Sequence, residues 1–207
     1  MTRIAATDRR AALIQAALRV VAERGVQAAT TRAIVAEAGM SLASFHYVFT
    51  SRDELMSELV AFVVAQQERA LSPVLMPGQG PVDLRDAVRA GLQTYFEVVR
   101  SDPQREKAMF ELTQYAMRSP ELEHLARLQY GSYYALAENA LAVASELTGA
   151  AWDRPLHDIA TLLVVLTDGL TISWLVNRDD AAAESILDFA ADAVARLATL
   201  PINARTS

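Results

Sequence analysis

Apolar residues recur along this chain at every third or fourth position, the spacing that places them on one face of an α-helix. The first such stripe consists of Ile14, Ala17, Leu18 and Val21. It predicts a helix that is capped by Thr7 and that ends before Gly25, because glycine readily adopts the positive φ that ends many helices. The chain therefore opens with an amphipathic helix.

Two short helices follow, with a tight turn between them. Thr30 is a good N-cap for the second helix, which ends at Gly39. The third helix spans residues 42–48, with Phe45 and Phe49 on its inner side. Three short helices with a glycine turn before the last one are typical of a helix-turn-helix, whose last helix enters the major groove of DNA.

The rest of the chain is predicted to be helical as well. Ser51 and Glu54 have the spacing of a capping box and start a long helix that reaches Gln66. Pro73 to Pro81 form a loop rich in proline and glycine. Five further helices are predicted at about residues 82–100, 103–118, 120–147, 156–176 and 181–200.

No strand-like alternation is seen, so the predicted fold class is all-α with about nine helices. The predicted domains are a three-helix, helix-turn-helix DNA-binding domain at residues 1–51 and a larger helical ligand-binding and dimerisation domain at residues 52–207.

The composition argues against catalytic and metal chemistry. Cysteine is absent, and the three histidines, at positions 46, 124 and 157, are not paired at metal-ligand spacing. A glycine-rich phosphate loop and an HExxH motif are also absent. Asp168 stands inside an apolar helix, where a helix cap or a subunit contact is favoured over a catalytic acid. We therefore predict no enzymatic activity, no metal and no cofactor.

Charge and hydropathy favour a soluble, cytoplasmic protein that binds DNA and no membrane. The first residues are not followed by the apolar core of a signal peptide. Asp168, Gly169 and hydroxyl residues interrupt the longest apolar stretches before they reach the length of a membrane span. The net charge is −6, yet residues 1–55 hold seven basic and five acidic residues. A basic head on an acidic body is typical of a DNA-binding module joined to another domain.

The segment at residues 30–55 resembles the tetracycline-repressor (TetR) family of transcriptional regulators. The resemblance rests on the caps, the turn and the apolar anchors at Thr30, Ile34, Gly39, Ser41, Phe49, Ser51 and Leu55. It implies a homodimer that binds a near-palindromic double-stranded DNA operator, usually as a repressor, and that is released by a small-molecule effector. A dimer also matches the spacing of successive major grooves, because two recognition helices about 34–36 Å apart contact two half-sites.

The resemblance carries DNA-contact roles to individual positions. It implies phosphate contacts for Thr31, Ser44, His46, Tyr47 and Arg52. It implies base-edge contacts for Arg32, Leu42 and Ala43. The family usually has Tyr in place of His46 and Lys in place of Arg52. Phosphate contacts set register and affinity, whereas base contacts select sequence.

The resemblance also implies an effector pocket among the middle helices and a dimer face on the last two. The pocket candidates are aromatic, sulfur-containing or polar residues: Phe62, Gln66, Tyr95, Phe96, Met109, Phe110, Thr113, Gln114, Tyr133 and Tyr134. The dimer-face candidates form two apolar stripes: Leu162, Leu166, Leu170, Trp174, Leu187, Ala190 and Val194. Packing within a single chain is the alternative for both sets. Because few charges fall among the pocket candidates, a largely neutral, apolar or aromatic effector is favoured.

Two classes of function remain open on the sequence. In the first, effector binding shifts the long helix that begins at Arg52, and the two DNA-binding heads lose register with successive major grooves. In the second, the chain is a helical small-molecule-binding or interaction protein without specific DNA binding. Neutralising Arg32 and Arg52 separates the two classes, because only the first loses retention on DNA.

Overall fold

The computed structural model describes residues 5–71, 83–118 and 120–199. Within these ranges the chain forms nine α-helices, one 3-10 helix and two very short strands. The α-helices are α1 Ala6–Arg24, α2 Thr31–Glu37, α3 Leu42–His46, α4 Arg52–Leu71, α5 Leu84–Ser101, α6 Pro103–Arg118, α7 Glu123–Thr148, α8 Leu156–Asn177 and α9 Asp180–Ala195. The 3-10 helix is Val26–Ala28, and the strands are β1 Ala151–Trp152 and β2 Ala198–Thr199. The predicted all-α fold class is confirmed.

The chain divides into two compact units. The first, called here the head unit, comprises the described residues of Met1–Gln67 together with Asp102–Gln129. The second, called the body unit, comprises the described residues of Glu68–Ser101 and Tyr130–Ser207. The head unit therefore contains α6, the part of α4 up to Gln67 and the start of α7 up to Gln129, in addition to the three predicted helix-turn-helix elements. The functional boundary between residues 51 and 52 stays a prediction.

The head unit is built around the apolar face of α1. The side chains of Leu13, Ala17 and Val20 are fully buried, at 0% exposure. They pack in one core with Ile34 of α2 and Phe45 of α3, which are also fully buried. Removal of apolar side-chain area from water stabilises such a core by about 25 cal/mol per Å². This burial determines which faces of α2 and α3 remain outside.

Two glycines make the turns of the head possible. Gly25 ends α1 with φ +82°, and an added Cβ would lie 3.0 Å from Glu111 Oε2. Gly39, in the turn between α2 and α3, has φ +64° with open space around it. A Cβ resists this left-handed conformation. The sharp turn predicted at Gly39 is therefore present.

The body unit packs α5 against α8 and α9. The apolar face of α5 is buried, with Phe96 at its centre at 0% exposure. On its rim, Arg85 forms ion pairs with Asp188 and Asp192 of α9, and Arg89 forms pairs with Asp188 and Glu184. Exposed pairs of this kind are worth about 1 kcal/mol or less each. The apolar contact supplies most of the stability and the ion pairs orient the helices.

Several local predictions differ from the structure. Strands β1 and β2 pair antiparallel, with Ala151 opposite Thr199, and two residues each are too few to produce an alternating pattern. α9 ends at Ala195 because the chain then enters this pairing. Thr7 lies inside α1 and does not cap it. The predicted loop at residues 73–81 lies outside the described residues.

The start of α7 also differs from the prediction. Pro120 lies in a turn, and α7 begins at Glu123. The carbonyl of Leu122, whose side chain is buried, accepts a hydrogen bond from the amide of Leu125 at 2.8 Å. The helix therefore begins about one turn after Pro120, and the buried Leu122 lies just before its first residue.

Candidate DNA-binding surface and effector-binding body

The outer face of α3 is held from behind by aromatic packing. Phe45 and Phe49 are buried, with ring centroids 5.5 Å apart. At the N-terminus, Ser41 Oγ accepts a hydrogen bond from the amide of Ser44 at 3.2 Å. The outer face consists of exposed residues: Leu42, Ala43, His46 and Tyr47. Four of the predicted DNA-contact residues thus share one accessible face.

The start of α2 presents a free cation beside this face. Thr30 Oγ1 caps α2 by accepting the amide of Ala33 at 3.2 Å. Thr31 is partly buried and Arg32 is exposed. Among the described residues, no carboxylate forms an ion pair with Arg32 and no acceptor takes a hydrogen bond from it. Its guanidinium is therefore available for an acceptor outside the chain.

Other predicted contact residues have partners within the head. Ser44 Oγ lies 3.0 Å from Ser41 Oγ, so these two hydroxyls share a hydrogen bond. The guanidinium of Arg9 lies over the ring of Tyr47, 5.1 Å from its centroid. Tyr47 nevertheless keeps 64% of its surface exposed. The stacking limits the orientations of the tyrosine without covering it.

Most arginines of the head are occupied by structural contacts. Arg10 donates to Glu54 at 2.8 Å, to Glu58 at 2.7 Å and to the carbonyl of Val48, and it also lies 4.3 Å from the ring centroid of Phe49. It thereby ties α1 to the start of α4. Arg10 is one of the seven basic residues of positions 1–55, and its charge is compensated at this junction.

Arg52 is turned into the protein. Its Nε donates to the carbonyl of Ala29 at 2.7 Å, its Nη2 to the carbonyl of Val26 at 2.8 Å, and its Nη1 to the hydroxyl of Tyr115 at 2.8 Å. Only 26% of the side chain is exposed. The predicted phosphate contact is not supported by this geometry, because all three guanidinium nitrogens have partners inside the chain. Arg52 instead joins the 3-10 segment to α4 and α6.

The predicted capping box is half present. Ser51 Oγ accepts the amide of Glu54 at 3.0 Å, as predicted. The carboxylate of Glu54, however, accepts the hydroxyl and the amide of Thr50, at 2.6 and 2.7 Å, instead of the amide of Ser51. These hydrogen bonds, together with that from Arg10, lower the pKa of Glu54 to about 2. The start of α4 thus carries a stable negative charge.

The predicted effector residues are distributed over both units. Those in the head unit are the buried Met109 and Thr113, the partly buried Phe62, Gln66 and Phe110, and the exposed Gln114. Those in the body unit are the buried Phe96 and the partly buried Tyr95, Tyr133 and Tyr134. Their pocket role stays a prediction.

Two contacts show that packing within the chain already engages some of these residues. Phe96 stacks edge-to-face on Trp174, with centroids 5.6 Å apart. The hydroxyl of Tyr95 lies 2.7 Å from that of the buried Thr171. The same side chains are therefore core residues of their own unit.

Sequence reasoning missed the buried polar groups of the head unit. Glu106 is 4% exposed and Gln129 is 2% exposed. Thr113 donates to Gln129 Oε1 at 3.0 Å. Burial raises the pKa of Glu106, against a lowering by Arg105, whose Nε and Nη2 are buried without a hydrogen-bond partner in the described chain. The sequence did not predict the burial of Glu106, because an exposed glutamate on a helix gives the same pattern of apolar and polar positions.

The structure corrects the predicted dimer face. Leu170, Trp174, Leu187, Ala190 and Val194 are between 0 and 7% exposed within their own chain. They form the core of the body unit, so their side chains offer almost no surface to a partner. Leu162 remains 45% exposed and Leu166 is partly buried.

A different stripe of α8 is open. Its members are spaced three or four residues apart and are all exposed: Leu162, Val165, Gly169, Ile172 and Val176. On α9, Phe189 is also an exposed large apolar residue, at 63%. Spacing that alternates between three and four residues is the pattern of a helix that packs along another helix.

The exposed stripe is part of a long apolar run in α8. Contrary to the sequence prediction, α8 is long and apolar enough to cross a membrane, and it is the one such helix among the described residues. Only 33% of its most apolar stretch is buried inside the chain. A single helix of this kind is weak evidence for a membrane span, because a helix that packs against a second subunit has the same composition.

A short capped helix with an accessible outer face, a sharp turn before it and an unpaired arginine beside it define a helix-turn-helix DNA-binding regulator. The comparisons with known proteins agree. Residues 13–59 match the family of bacterial regulatory proteins called the tetR family, and residues 84–199 match the C-terminal domain of BetI-type transcriptional repressors. The chain belongs to the TetR family, and it is a ligand-responsive transcriptional repressor that acts as a dimer.

Individual relatives support the same assignment over almost the whole chain. The HTH-type nicotine-responsive transcriptional repressor HdnoR of Paenarthrobacter nicotinovorans is 31% identical over 194 residues, covering 92% of this chain and 96% of that protein. The HTH-type transcriptional regulator BetI of Brucella suis is 25% identical and covers 90% of each chain. The crystal structure of a transcriptional regulator from Pseudomonas aeruginosa is 26% identical, covers 94% of this chain and 93% of that one, and has a TM-score of 0.73.

Proposed function

We propose that this repressor recognises each half of its operator through the outer face of α3 and the first turn of α2. Arg32 contacts a guanine edge, and Leu42 and Ala43 contact apolar groups such as a thymine methyl. Thr31, Ser44, His46 and Tyr47 contact phosphates and set the register. The observation that carries this proposal is the guanidinium of Arg32, which is exposed beside α3 and has no ion pair within the described chain.

The role of Arg52 in this proposal is indirect. Its three hydrogen bonds inside the head unit hold the 3-10 segment that precedes α2. It thereby orients the helix-turn-helix without being a phosphate ligand. Residues 1–51 supply the DNA contacts, and residues 52–207 supply the support, the effector site and the dimer contacts.

The dimer forms, in this proposal, through the exposed stripe of α8 and through Phe189 of α9. Leu162, Ile172 and Val176 meet their counterparts across a two-fold axis, with Gly169 allowing close approach of the two helices. Such a contact removes from water the apolar surface that the isolated chain leaves exposed.

The effector is a small molecule bound by the helical body, as the name of the nicotine-responsive relative suggests for that protein. Effector binding shifts α4, whose first turns pack into the core of the head. A shift of the population from 1:99 to 99:1 requires binding that differs between the two states by about 5.5 kcal/mol. Because its target is DNA, we place the protein in the cytoplasm. We assign it no catalytic reaction.

Selection of random DNA duplexes by the purified protein tests the operator proposal. The wild-type protein should recover an inverted repeat at near-physiological salt. Arg32→Ala should weaken binding by about 1–3 kcal/mol per half-site and relax the choice at one base position of each half-site. Arg196→Ala, at an exposed arginine of the body, is the matched control and should leave the motif unchanged.

Two results would contradict the proposal. Recovery of no repeat, with binding that disappears as salt rises, would leave only nonspecific attraction to phosphates. Recovery of the same repeat by the Arg32→Ala variant with unchanged affinity would remove Arg32 from the base-reading surface.

A further inference from the structure

Arg9, near the start of α1, lies over the aromatic ring of Tyr47 at the end of α3. Its guanidinium carbon is 5.1 Å from the ring centroid. Arg9 is partly buried, whereas Tyr47 keeps most of its surface exposed. The contact therefore joins α1 to α3 at the edge of the face that meets DNA in the proposed function.

The backbone of Tyr47 is held by contacts that do not involve Arg9. Its amide donates to the carbonyl of Ala43 at 3.1 Å, and its φ and ψ are helical, at −73° and −28°. The next carbonyl along the chain, that of Val48, accepts a hydrogen bond from Arg10. The fold thus sets the position of the Tyr47 backbone, and only the side-chain torsions of the tyrosine remain to be chosen.

The contact with Arg9 acts on the ring of Tyr47 and leaves its hydroxyl open. Within the described ranges of the chain, no hydrogen bond involves this hydroxyl. An exposed side chain exchanges among its staggered rotamers within picoseconds to nanoseconds. A cation over the ring face at an exposed site favours one rotamer by a factor of about two to five. Arg9 thus biases the direction in which the hydroxyl points without occupying it.

The two adjacent arginines of α1 act on different kinds of aromatic residue. Arg10 lies 4.3 Å from the ring centroid of the buried Phe49, and its ion pairs with Glu54 and Glu58 stabilise the junction with α4. Arg9 lies against a side chain that the fold leaves exposed. Ordering such a side chain costs conformational entropy and adds little to stability. Its benefit is expected in binding, because a group that is already oriented loses less freedom when it meets its partner.

We propose that Arg9 is a positioning residue for operator binding, which holds the Tyr47 ring in the orientation from which the hydroxyl donates to a DNA phosphate. This inference rests on the proposed function in taking Tyr47 as a phosphate contact. The gain arises once in each half-site, so in a dimer the two factors multiply to about four to 25.

A double-variant cycle on operator affinity tests this role. The probe is a fluorescein-labelled duplex that carries the inverted repeat selected by the wild-type protein, and fluorescence anisotropy gives its dissociation constant. Arg9→Gln is measured in the wild-type background and in the Tyr47→Phe background, which keeps the ring and removes the hydroxyl. Loss of the Arg9 charge weakens binding equally in both backgrounds, whereas loss of positioning weakens it only where the hydroxyl is present. The fold-change caused by Arg9→Gln should therefore be at least about threefold larger in the wild-type background.

Arg24→Gln is the matched control, because it removes the same charge from a half-exposed side chain at the other end of α1. Its fold-change should be the same in both backgrounds. Carbon-13 relaxation of the Tyr47 ring in the DNA-free protein gives a second readout: the ring should be more mobile in Arg9→Gln and unchanged in Arg24→Gln. Thermal melts close to that of the wild type show that each variant is folded.

The outcomes separate the role of Arg9 from the repressor proposal. A difference smaller than about threefold between the two backgrounds, or an unchanged mobility of the Tyr47 ring, overturns the positioning role while the repressor stands. If Tyr47→Phe alone binds the duplex like the wild type, the phosphate contact of the hydroxyl is wrong and the role of Arg9 fails with it, while the base contact of Arg32 is unaffected. If no inverted repeat is selected, the operator proposal itself fails, and the role of Arg9 with it.

Discussion

At the scale of single residues, the buried side chain of Glu106 in the head unit links folding to its own protonation state. Glu106 is almost completely buried, and none of the hydrogen bonds or ion pairs found in the described chain involves its carboxylate. The largest influence on its pKa is loss of water, which raises it, while Arg105 lowers it and Asp102 raises it. The neutral form of Glu106 is therefore favoured by folding.

Glu106→Gln should make the stability of the protein less dependent on pH. Because folding raises the pKa of Glu106, its favourable contribution is complete below the unfolded-state pKa and is lost as the pH rises through the folded-state pKa. The variant should therefore gain stability relative to the wild type as the pH rises from 4 to 8, because the glutamine cannot ionise. Urea unfolding across this range measures the gain.

The exposed Glu97 of α5 offers a matched control for that experiment. Glu97→Gln should change the free energy of unfolding by no more than about 0.5 kcal/mol at any of these pH values. A Glu106→Gln variant whose stability runs parallel to that of the wild type would mean that Glu106 is not buried as a neutral acid.

At the scale of elements, the junction of the 3-10 segment, α4 and α6 supports the DNA-binding helices. Glu111 of α6 accepts the amide of Val26 at 2.7 Å, and Tyr115 of α6 accepts a hydrogen bond from Arg52. Tyr115 in turn donates to Asp53 at 3.1 Å. Since the 3-10 segment leads directly into α2, these contacts make α6 part of the scaffold that positions the head.

Arg52→Lys should destabilise the head although it keeps the positive charge. A lysine cannot reproduce donation from three nitrogens to two carbonyls and a hydroxyl, so a loss of about 1–3 kcal/mol in unfolding free energy is expected. Tyr115→Phe should cost about 0.5–1.5 kcal/mol, and the double variant should cost less than the sum. Chemical denaturation of the four proteins measures the coupling.

Arg32→Lys is the control for this junction, because Arg32 is exposed and has no ion pair in the described chain. Its stability should stay within about 0.5 kcal/mol of the wild type. If Arg52→Lys were as stable as the wild type, and if Arg52→Ala lowered the salt dependence of DNA binding instead, Arg52 would be a phosphate ligand after all.

At the scale of the whole molecule, the stripe of α8 is an apolar surface that stays exposed within the described chain. Val176 is 75% exposed and Val165 is 61% exposed. They stand on a helix whose other face is buried by α5 and α9. A monomer would leave this stripe in water, whereas a two-fold contact buries it twice, once for each subunit.

Ile172→Glu should convert the dimer to monomers at micromolar concentration. The substitution places two like charges near each other across the axis and desolvates both. Because Ile172 is 49% exposed within its own chain, the fold of the monomer should be retained. Analytical ultracentrifugation gives the mass, and circular dichroism checks the helix content.

Leu147→Glu is the matched control, since Leu147 is 50% exposed and belongs to α7 and not to the stripe of α8. This variant should remain dimeric. A dimeric Ile172→Glu protein would exclude the α8 stripe from the subunit contact. If the monomeric Ile172→Glu variant lost operator binding while the dimeric Leu147→Glu variant kept it, dimerisation would be linked to DNA recognition.

The sequence alone determined the elements that depend on local chemistry. Thr30 and Ser41 cap α2 and α3, and Gly39 has the positive φ of a sharp turn. These features depend on a few neighbouring residues, so the linear pattern predicts them. The outer face of α3 follows directly, because Phe45 and Phe49 determine which side is buried.

Only the tertiary structure decided the roles of residues whose partners lie far along the chain. Arg52 meets Tyr115 across 63 positions, and Asp168 meets Tyr130 across 38. Leu170 and Val165 belong to the same apolar run of α8, yet one is buried by its own chain and the other is exposed. A helical stripe shows that a face is apolar, but which neighbour covers it depends on the packing of the other helices.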